Sequence, residues 1–406
     1  MMKANEKSVE ISATCPACGL LCDDLMVEVH ENGVHVNDIK VMKNGCEKSI
    51  TFFEQPLENT QASIRGQAAS TKDAVVEAAR LLKQAKSPLF DGLSTDVTGF
   101  RTLFTLSQKV NAALKHTNSN SLQRNMRVLQ STGWQTTTLT EVKNHADVIL
   151  CIGTNIVSHN PRFFERFVDV DGMFVSAKNR QVIVLGNTQN NSNIKSDALE
   201  AAWNLPCRAD DLPSVTITLR ALVAGKPLKA TEVAGLKMAD LQKLADTLKA
   251  AKYAVIAWVA KDLDFPQAEL TIQNMTEMVA TLNLTSRAAG LPLGGSDGDT
   301  TVNYANTWLS GFILNDEDVD HDVVVWVNSL GNNQPSPKTQ QPLIALARQA
   351  PTDIIPEVFI PVATPGIDSN GLLFRVDGSV TLPLKKLRSS SLPTLSEIVS
   401  QIEALL

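Results

Sequence analysis

The chain has 406 residues, 43% of them hydrophobic and 20% charged, with a net charge of -6. That length accommodates two or three domains with buried cores, and that composition excludes a disordered or fibrous chain. No basic patch points to nucleic acid, no run of about 18 apolar residues predicts a membrane span, and the opening MMKANEKSVEIS lacks the apolar stretch of a signal peptide; a cytoplasmic protein with reduced cysteines is expected.

Residues 1–60 hold four of the six cysteines. Alternation in Leu25–Val29 and Val34–Val36 predicts two short strands around an Asn32-Gly33 turn. From residue 71 the pattern becomes one of alternating helices and strands. Helical periodicity covers 73–85, and a helix is expected over 99–115. Continuous apolar runs at Val148–Ile152, Val182–Leu185, Ala254–Val259, Val323–Val327 and Val358–Val362 suit parallel strands covered on both faces. Helices are expected between them at 239–251, 266–283 and 340–349, which makes the class α/β with open sheets. Thr394 and Glu397 have capping-box spacing before a final helix.

Cys15, Cys18 and Cys22 form a C-x2-C-x3-C run, and Cys46 follows after 23 residues. Four thiolates so placed suit an iron–sulfur cluster or zinc; the bland alternative is four unrelated buried cysteines. Cys151 lies in an apolar strand and reads as a small core residue, and Cys207 is assigned no role. The six histidines (His30, His35, His116, His145, His159 and His321) form no spaced metal set, and no H-E-x-x-H, Walker A or G-x-S-x-G motif occurs. Asp23 and Asp24 read as turn or cap residues, with tuning of a cluster as the functional alternative. Gly290, Gly294, Gly295 and Gly298 read as an ordinary glycine-rich loop, although they could permit close approach to a phosphate. Of Arg124, Arg127, Arg162, Arg166 and Arg287, separate surface arginines are the default, with an anion-binding subset as the alternative.

The segment CPACGLLCDD at 15–24 resembles the start of the B subunit of formylmethanofuran dehydrogenase, a family within the molybdopterin oxidoreductases. EVKNHADVILCIGTNIVSHNPRFFERF at 141–167 and IPVATPGIDSNGLLFRVDG at 360–378 are similar to later stretches of that family, in the same order. The resemblance implies a formate dehydrogenase/DMSO reductase-like layout. A four-cysteine, iron–sulfur-type β domain would occupy 1–60, and a Rossmann-like α/β domain 61–115 plus 245–365. A second α/β domain would be inserted at 116–244, and an extension with a helix would span 366–406. It also implies that Cys15, Cys18, Cys22 and Cys46 are the metal ligands.

The chain departs from the family where S-x-C-H-G supplies a cysteine or selenocysteine to molybdenum or tungsten. The matching segment is Ser121-Leu122-Gln123-Arg124-Asn125, with Gln123 in the place of the cysteine and Arg124 in that of the histidine. A neutral amide replaces neither the charge nor the donor strength of a thiolate, and a guanidinium repels a metal cation. No functional molybdenum- or tungsten-pterin is therefore expected, and no catalytic residue is assigned. At the four cysteines a 4Fe-4S cluster, zinc or an empty site all stay open.

The resemblance extends to the B subunit of formyltransferase/hydrolase complexes. It implies a non-redox scaffold, partnered by the A, C and D subunits and by a methanofuran-type carrier, with neither nucleic acid nor membrane as partner. Arg124 and Arg162, expected in loops at the former cofactor cavity, are candidates for holding the carrier's polyglutamate tail. The enzyme alternative is a catalytic formylmethanofuran dehydrogenase subunit with a 4Fe-4S cluster and a molybdenum- or tungsten-pterin.

Overall fold

The computed structural model of the chain describes residues 7–31, 39–55, 60–186, 195–314, 320–331 and 335–406. The Asn32-Gly33 turn, the Val34–Val36 strand and His35 lie outside the described residues. The chain forms two compact units: Met1–Ser119, Gly295–Arg375 and Val380–Leu406 make unit 1, and Asn120–Gly294 with Val376–Ser379 make unit 2.

Unit 1 begins with β1 (Lys7–Ala13), β2 (Leu25–Glu31), β3 (Ile39–Lys43) and α1 (Glu47–Phe53). Short β4 (Ser63–Ile64) and β5 (Gln67–Ala68) follow, then α2 (Thr71–Gln84), β6 (Pro88–Ser94), α3 (Val97–Val110) and β7 (Ala113–Leu114). Next come α4 (Ser119–Ser131), α5 (Leu139–His145), β8 (Val148–Ile152), α6 (Ile156–His159), α7 (Phe163–Phe167), β9 (Gln181–Leu185), α8 (Asp197–Glu200) and β10 (Trp203–Leu205). Unit 2 continues through α9 (Leu212–Val223), β11 (Glu232–Val233), β12 (Leu236–Lys237), α10 (Met238–Ala250), β13 (Ala254–Val259), α11 (Ala268–Leu282) and β14 (Ala288–Leu293). The return to unit 1 brings α12 (Asp299–Ser310), β15 (Val323–Asn328), β16 (Leu343–Ala347), β17 (Val358–Pro361), β18 (Gly371–Phe374), β19 (Thr381–Leu384) and α13 (Leu395–Glu403).

The seven-stranded sheet of unit 1 runs β5-β4-β17-β16-β15-β6-β7, parallel except at the β4 edge. Every residue of β15 and β16 is buried, as expected of strands covered on both faces. One face packs Phe90, Val325, Ile344 and Ile360 against Ala78 of α2, Phe100 and Leu103 of α3, and Ile398 of α13. The Ser70 and Asp96 side chains cap α2 and α3. Thr394 and Glu397 form the capping box of α13. A separate three-stranded antiparallel sheet, β1-β2-β3, places Val9 opposite Val29 and Val29 opposite Ile39.

Unit 2 carries a five-stranded parallel sheet in the order β10-β9-β8-β13-β14. Its core joins Leu150, Ile183 and Trp258 to Leu219 of α9, Leu244 of α10 and Met275 of α11. Trp258 is fully buried, and its indole N–H donates to the Asn125 side chain at 2.9 Å, which fixes α4 to the sheet.

Three expectations change. The border expected at 244 lies beyond β14, because β13 and β14 pair with β8 in one sheet and so belong to the inserted unit. Residues 340–349 hold strand β16, not a helix: Leu343–Ala347 pairs with both β15 and β17. The cysteine segment and the C-terminal strands and helix are parts of unit 1, not compact units of their own.

Candidate functional site

The three-cysteine run is a loop closed on itself. The Cys15 amide donates to the Cys22 carbonyl at 2.8 Å, and the Leu21 amide to the Cys18 carbonyl at 3.2 Å. Leu21 adopts φ 46°, a left-handed conformation that a buried leucine tolerates only when its surroundings hold it there. Cys46 stands just ahead of α1, as its N-cap residue. Gly45 lets it do so, since a Cβ there would lie 2.4 Å from Val41 Cγ1. The Asn44 side chain donates to the Asp24 carbonyl at 2.8 Å, tying the Cys46 segment to the chain just after Cys22.

Cys15, Cys18 and Cys22 are buried and Cys46 is half-buried. Burial pushes the Cys15 thiol well above its ordinary value, and the neighbouring Cys18, Cys22 and Cys46 add to the rise. Cys18, Cys22 and Cys46 thus all lie within electrostatic reach of Cys15. Four thiolates in such a place require a compensating cation, and the donor set fits an iron–sulfur cluster or zinc. Among the described residues no three His, Cys, Asp or Glu side chains close up as a single ion would require.

A glycine-rich segment buttresses this loop. The Gly19 amide donates to the Gly295 carbonyl at 2.6 Å, and a Cβ on Gly295 would sit 2.7 Å from the Gly19 Cα. Asp299 then accepts from the Asn118 amide at 2.7 Å and from the Ser296 N–H at 3.1 Å. His116 meets the Asn303 amide at 2.9 Å. Burial pushes Asp299 up to about 6, against the Asn118 hydrogen bond, and pushes His116 down to about 4, against that of Asn303.

In unit 2 the carboxyl ends of β8 and β13 meet at Asp262. Its carboxylate accepts from the Thr154 hydroxyl at 2.7 Å and the Asn155 N–H at 2.9 Å, and pairs with His159 Nε2 at 2.7 Å. Burial raises the Asp262 pKa, but the hydrogen bonds from His159 and Thr154 and the His159 charge outweigh it and hold the carboxyl below its ordinary value. Asn160 makes a reciprocal pair with the Gly294 backbone, at 2.8 and 2.9 Å. In open α/β sheets this end of the strands is where ligands bind. Here it is laced by internal hydrogen bonds.

Gln123 and Arg124 lie within helix α4, not in a loop. The Gln123 side-chain oxygen accepts from Arg127 at 3.2 Å. Arg124 donates to the Ala260 carbonyl at 3.0 Å and pairs with Asp264. Arg162 is buried at the N-terminal end of α7 and forks onto Glu165 at 2.6 and 3.0 Å. Both arginines thus have carboxylate partners within the chain, and neither is an open loop cation. Cys151 is fully buried in β8, and His30 pairs with Glu28 at 3.0 Å. The helix holding Gln123 provides no thiolate for a molybdenum or tungsten ion, so the residues at 121–125 do not fit that group.

No family model matches the chain. The B subunit of tungsten-containing formylmethanofuran dehydrogenase 2 from Methanococcus maripaludis is 25% identical over 411 residues, covering 92% of this chain and 93% of the relative. The chain is a homologue of formylmethanofuran dehydrogenase B subunits. The B subunit of the formyltransferase/hydrolase complex Fhc from Methylorubrum extorquens is also similar, at 28% identity over 256 residues, 62% of this chain and 64% of the relative. A chain of the FhcABCD complex from the same organism, solved with methylofuran, shares the fold with a TM-score of 0.70 at 23% identity, covering 85% of this chain and 98% of that one.

Sequence reasoning misses the Asp262 hub and the buried Asp299–Asn118 network. Asp262 joins residues more than 100 positions away, and only its place just after a predicted strand hints at it. No helix of the described residues is long and apolar enough to cross a membrane.

Proposed function

We propose that the chain is the non-redox scaffold subunit of a formyltransferase/hydrolase complex. In such a complex a formyl group passes from a tetrahydromethanopterin-type carrier to a methanofuran-type carrier and leaves as formate. The observation that carries this reading is the segment at Gln123 and Arg124. In a chain homologous to a tungsten enzyme over 92% of its length, it is a helix whose arginine is engaged by Ala260 and Asp264. Neither side chain offers a soft anionic ligand. On this reading no residue of the chain is an acid, base or nucleophile, and it joins partners of the A, C and D kinds. The likeness to the Fhc B subunit and to a chain of FhcABCD supports this.

The four cysteines would hold a 4Fe-4S cluster, or zinc, kept for folding. When bound, the cluster supplies positive charge that lets the buried thiolates coexist. Cys15, Cys18 and Cys22 present one loop of ligands, and Cys46 the fourth. Arg124 and Arg162 contribute to holding the carrier's anionic tail, by sharing rather than releasing their internal carboxylates. Unchanged carrier retention after neutralising either one removes that role.

The second reading is a catalytic formylmethanofuran dehydrogenase subunit. It is favoured by the tungsten enzymes' coverage of the chain, which exceeds that of the Fhc relative. Elemental analysis of the anaerobically purified complex separates the two. The scaffold reading expects iron and sulfide without molybdenum or tungsten, together with co-purifying A-, C- and D-type subunits. Stoichiometric molybdenum or tungsten overturns it.

A further inference from the structure

Unit 2 has a cleft at the end of its sheet where the strands begin. Asp147 immediately precedes β8, Tyr253 precedes β13 and Arg287 precedes β14, while Asn179 lies just ahead of β9. The Asp262 site lies at the carboxyl ends of the same strands, so the two are separate. The cleft volume is ≈ 590 Å³, within the range of about 300–1,000 Å³ common for small-molecule sites.

One wall is built to stay in place. Arg180 is buried, and its guanidinium donates to the Val168 carbonyl at 2.5 Å and the Ala146 carbonyl at 3.2 Å, with the Val170 and Lys143 carbonyls as further acceptors. Gly172 is pressed against α5, since a Cβ there would lie 1.9 Å from the Lys143 carbonyl oxygen. The Phe174 amide donates to the Asn144 carbonyl at 3.1 Å. This clamped loop holds Phe174, 69% exposed, with its ring stacked on His145 at 4.6 Å and 23°. Tyr253 presents its ring edgewise to His145 at 6.2 Å. The pinned backbone thus holds an aromatic face open to solvent at the mouth of the cleft.

The charges of the cleft divide into two kinds. The Asp147 carboxylate accepts from the Lys252 and Tyr253 backbone amides, both at 2.9 Å. Glu141 accepts from the Thr137 hydroxyl at 3.2 Å and the Thr138 N–H at 3.4 Å. Both carboxylates are therefore engaged in holding the backbone. Lys252 and Arg287 are exposed, and no ion pair among the described residues takes up either of them. We propose that this cleft binds a small aromatic anion, with its ring carried on the His145–Phe174 platform and its carboxylate, sulfonate or phosphate group against Lys252 and Arg287. Stacking and a charge-assisted contact supply different parts of the recognition, so each can be removed separately. This assignment does not depend on the proposed scaffold role.

The test is a fluorescence titration of the full chain with 8-anilinonaphthalene-1-sulfonate, run on the chain alone and with its co-purified subunits. Phe174→Ala and Arg287→Glu are each expected to weaken binding by about tenfold, a loss of about 1.4 kcal/mol. Phe312→Ala, which removes a comparably exposed ring elsewhere, should leave binding unchanged. A neutral naphthalene-methanol competitor should bind about tenfold more weakly than naphthalene-sulfonate. Because the altered side chains are exposed, unfolding midpoints should not move. Equal losses in Phe312→Ala, or none in Phe174→Ala and Arg287→Glu, overturn the proposal. Binding seen with the chain alone but abolished in the assembly also overturns it, and makes the cleft a subunit contact.

Discussion

The Gly19 amide donates to the Gly295 carbonyl at 2.6 Å, so the three-cysteine loop rests on the backbone leading into α12. Gly295 has φ 72°, and any Cβ would press on Gly19. Gly295→Ala therefore combines left-handed strain with a backbone clash and should cost about 2–4 kcal/mol of unfolding free energy. Urea denaturation measures this. Iron retained per chain should fall in parallel, and an unchanged midpoint would remove the buttressing role.

The buried pair His116 and Asp299 makes a pH prediction in two opposed parts. His116 titrates near 4 when folded and near the ordinary 6.5 when unfolded, so its contribution is full above 6.5 and is lost as pH falls toward 4. Asp299 titrates near 6 when folded, above the unfolded value of about 3.9, so folding is favoured as pH falls through 6. Asp299→Asn removes only the second part. Between pH 7 and pH 4, wild type should gain about 2 kcal/mol relative to that variant. Denaturant midpoints taken across this range check it, and parallel curves would contradict it.

Trp258→Phe keeps most of the buried ring volume but removes the N–H that satisfies Asn125, itself buried. The orphaned amide oxygen should cost about 1–3 kcal/mol. Trp258→Ala also opens a cavity and should cost about 3–5 kcal/mol. Thermal unfolding of the two variants separates the polar from the packing contribution.

Cys18→Ser tests the thiol set. Loss of iron together with a lower unfolding midpoint is expected, because metal binding contributes directly to the stability of the loop it organises. Cys151→Ala, in the core of β8, should leave iron content unchanged while lowering stability by about 1 kcal/mol. Equal iron loss in both would point to general unfolding rather than ligation.

The strands most legible in the sequence are those rich in β-branched residues, such as Val148–Ile152 and Ala254–Val259. Leu343–Ala347 reads as helical because leucine and alanine favour helices, yet all five residues are buried between β15 and β17. Ala288–Leu293 is obscured by Gly290 and Pro292, which resemble loop punctuation. Gly290 is there because a Cβ would press on Trp258 at 3.0 Å, a contact no local pattern reveals. The four cysteines are legible because three share one short loop. The Asp262 hub is not, because its partners come from another strand's end.

Strand β6 finds its partner β15 only after more than 200 intervening residues, whereas unit 2 pairs β8 with β9 and β10 close behind in sequence. On a ribosome, the inserted unit can therefore complete its sheet while β6, beside short β7 alone, still waits for β15. Non-local pairing of that kind is slow and leaves apolar strand surface uncovered meanwhile. Synthesis and folding of this chain should thus run out of step, with β6 made early and among the last strands to gain all its native partners.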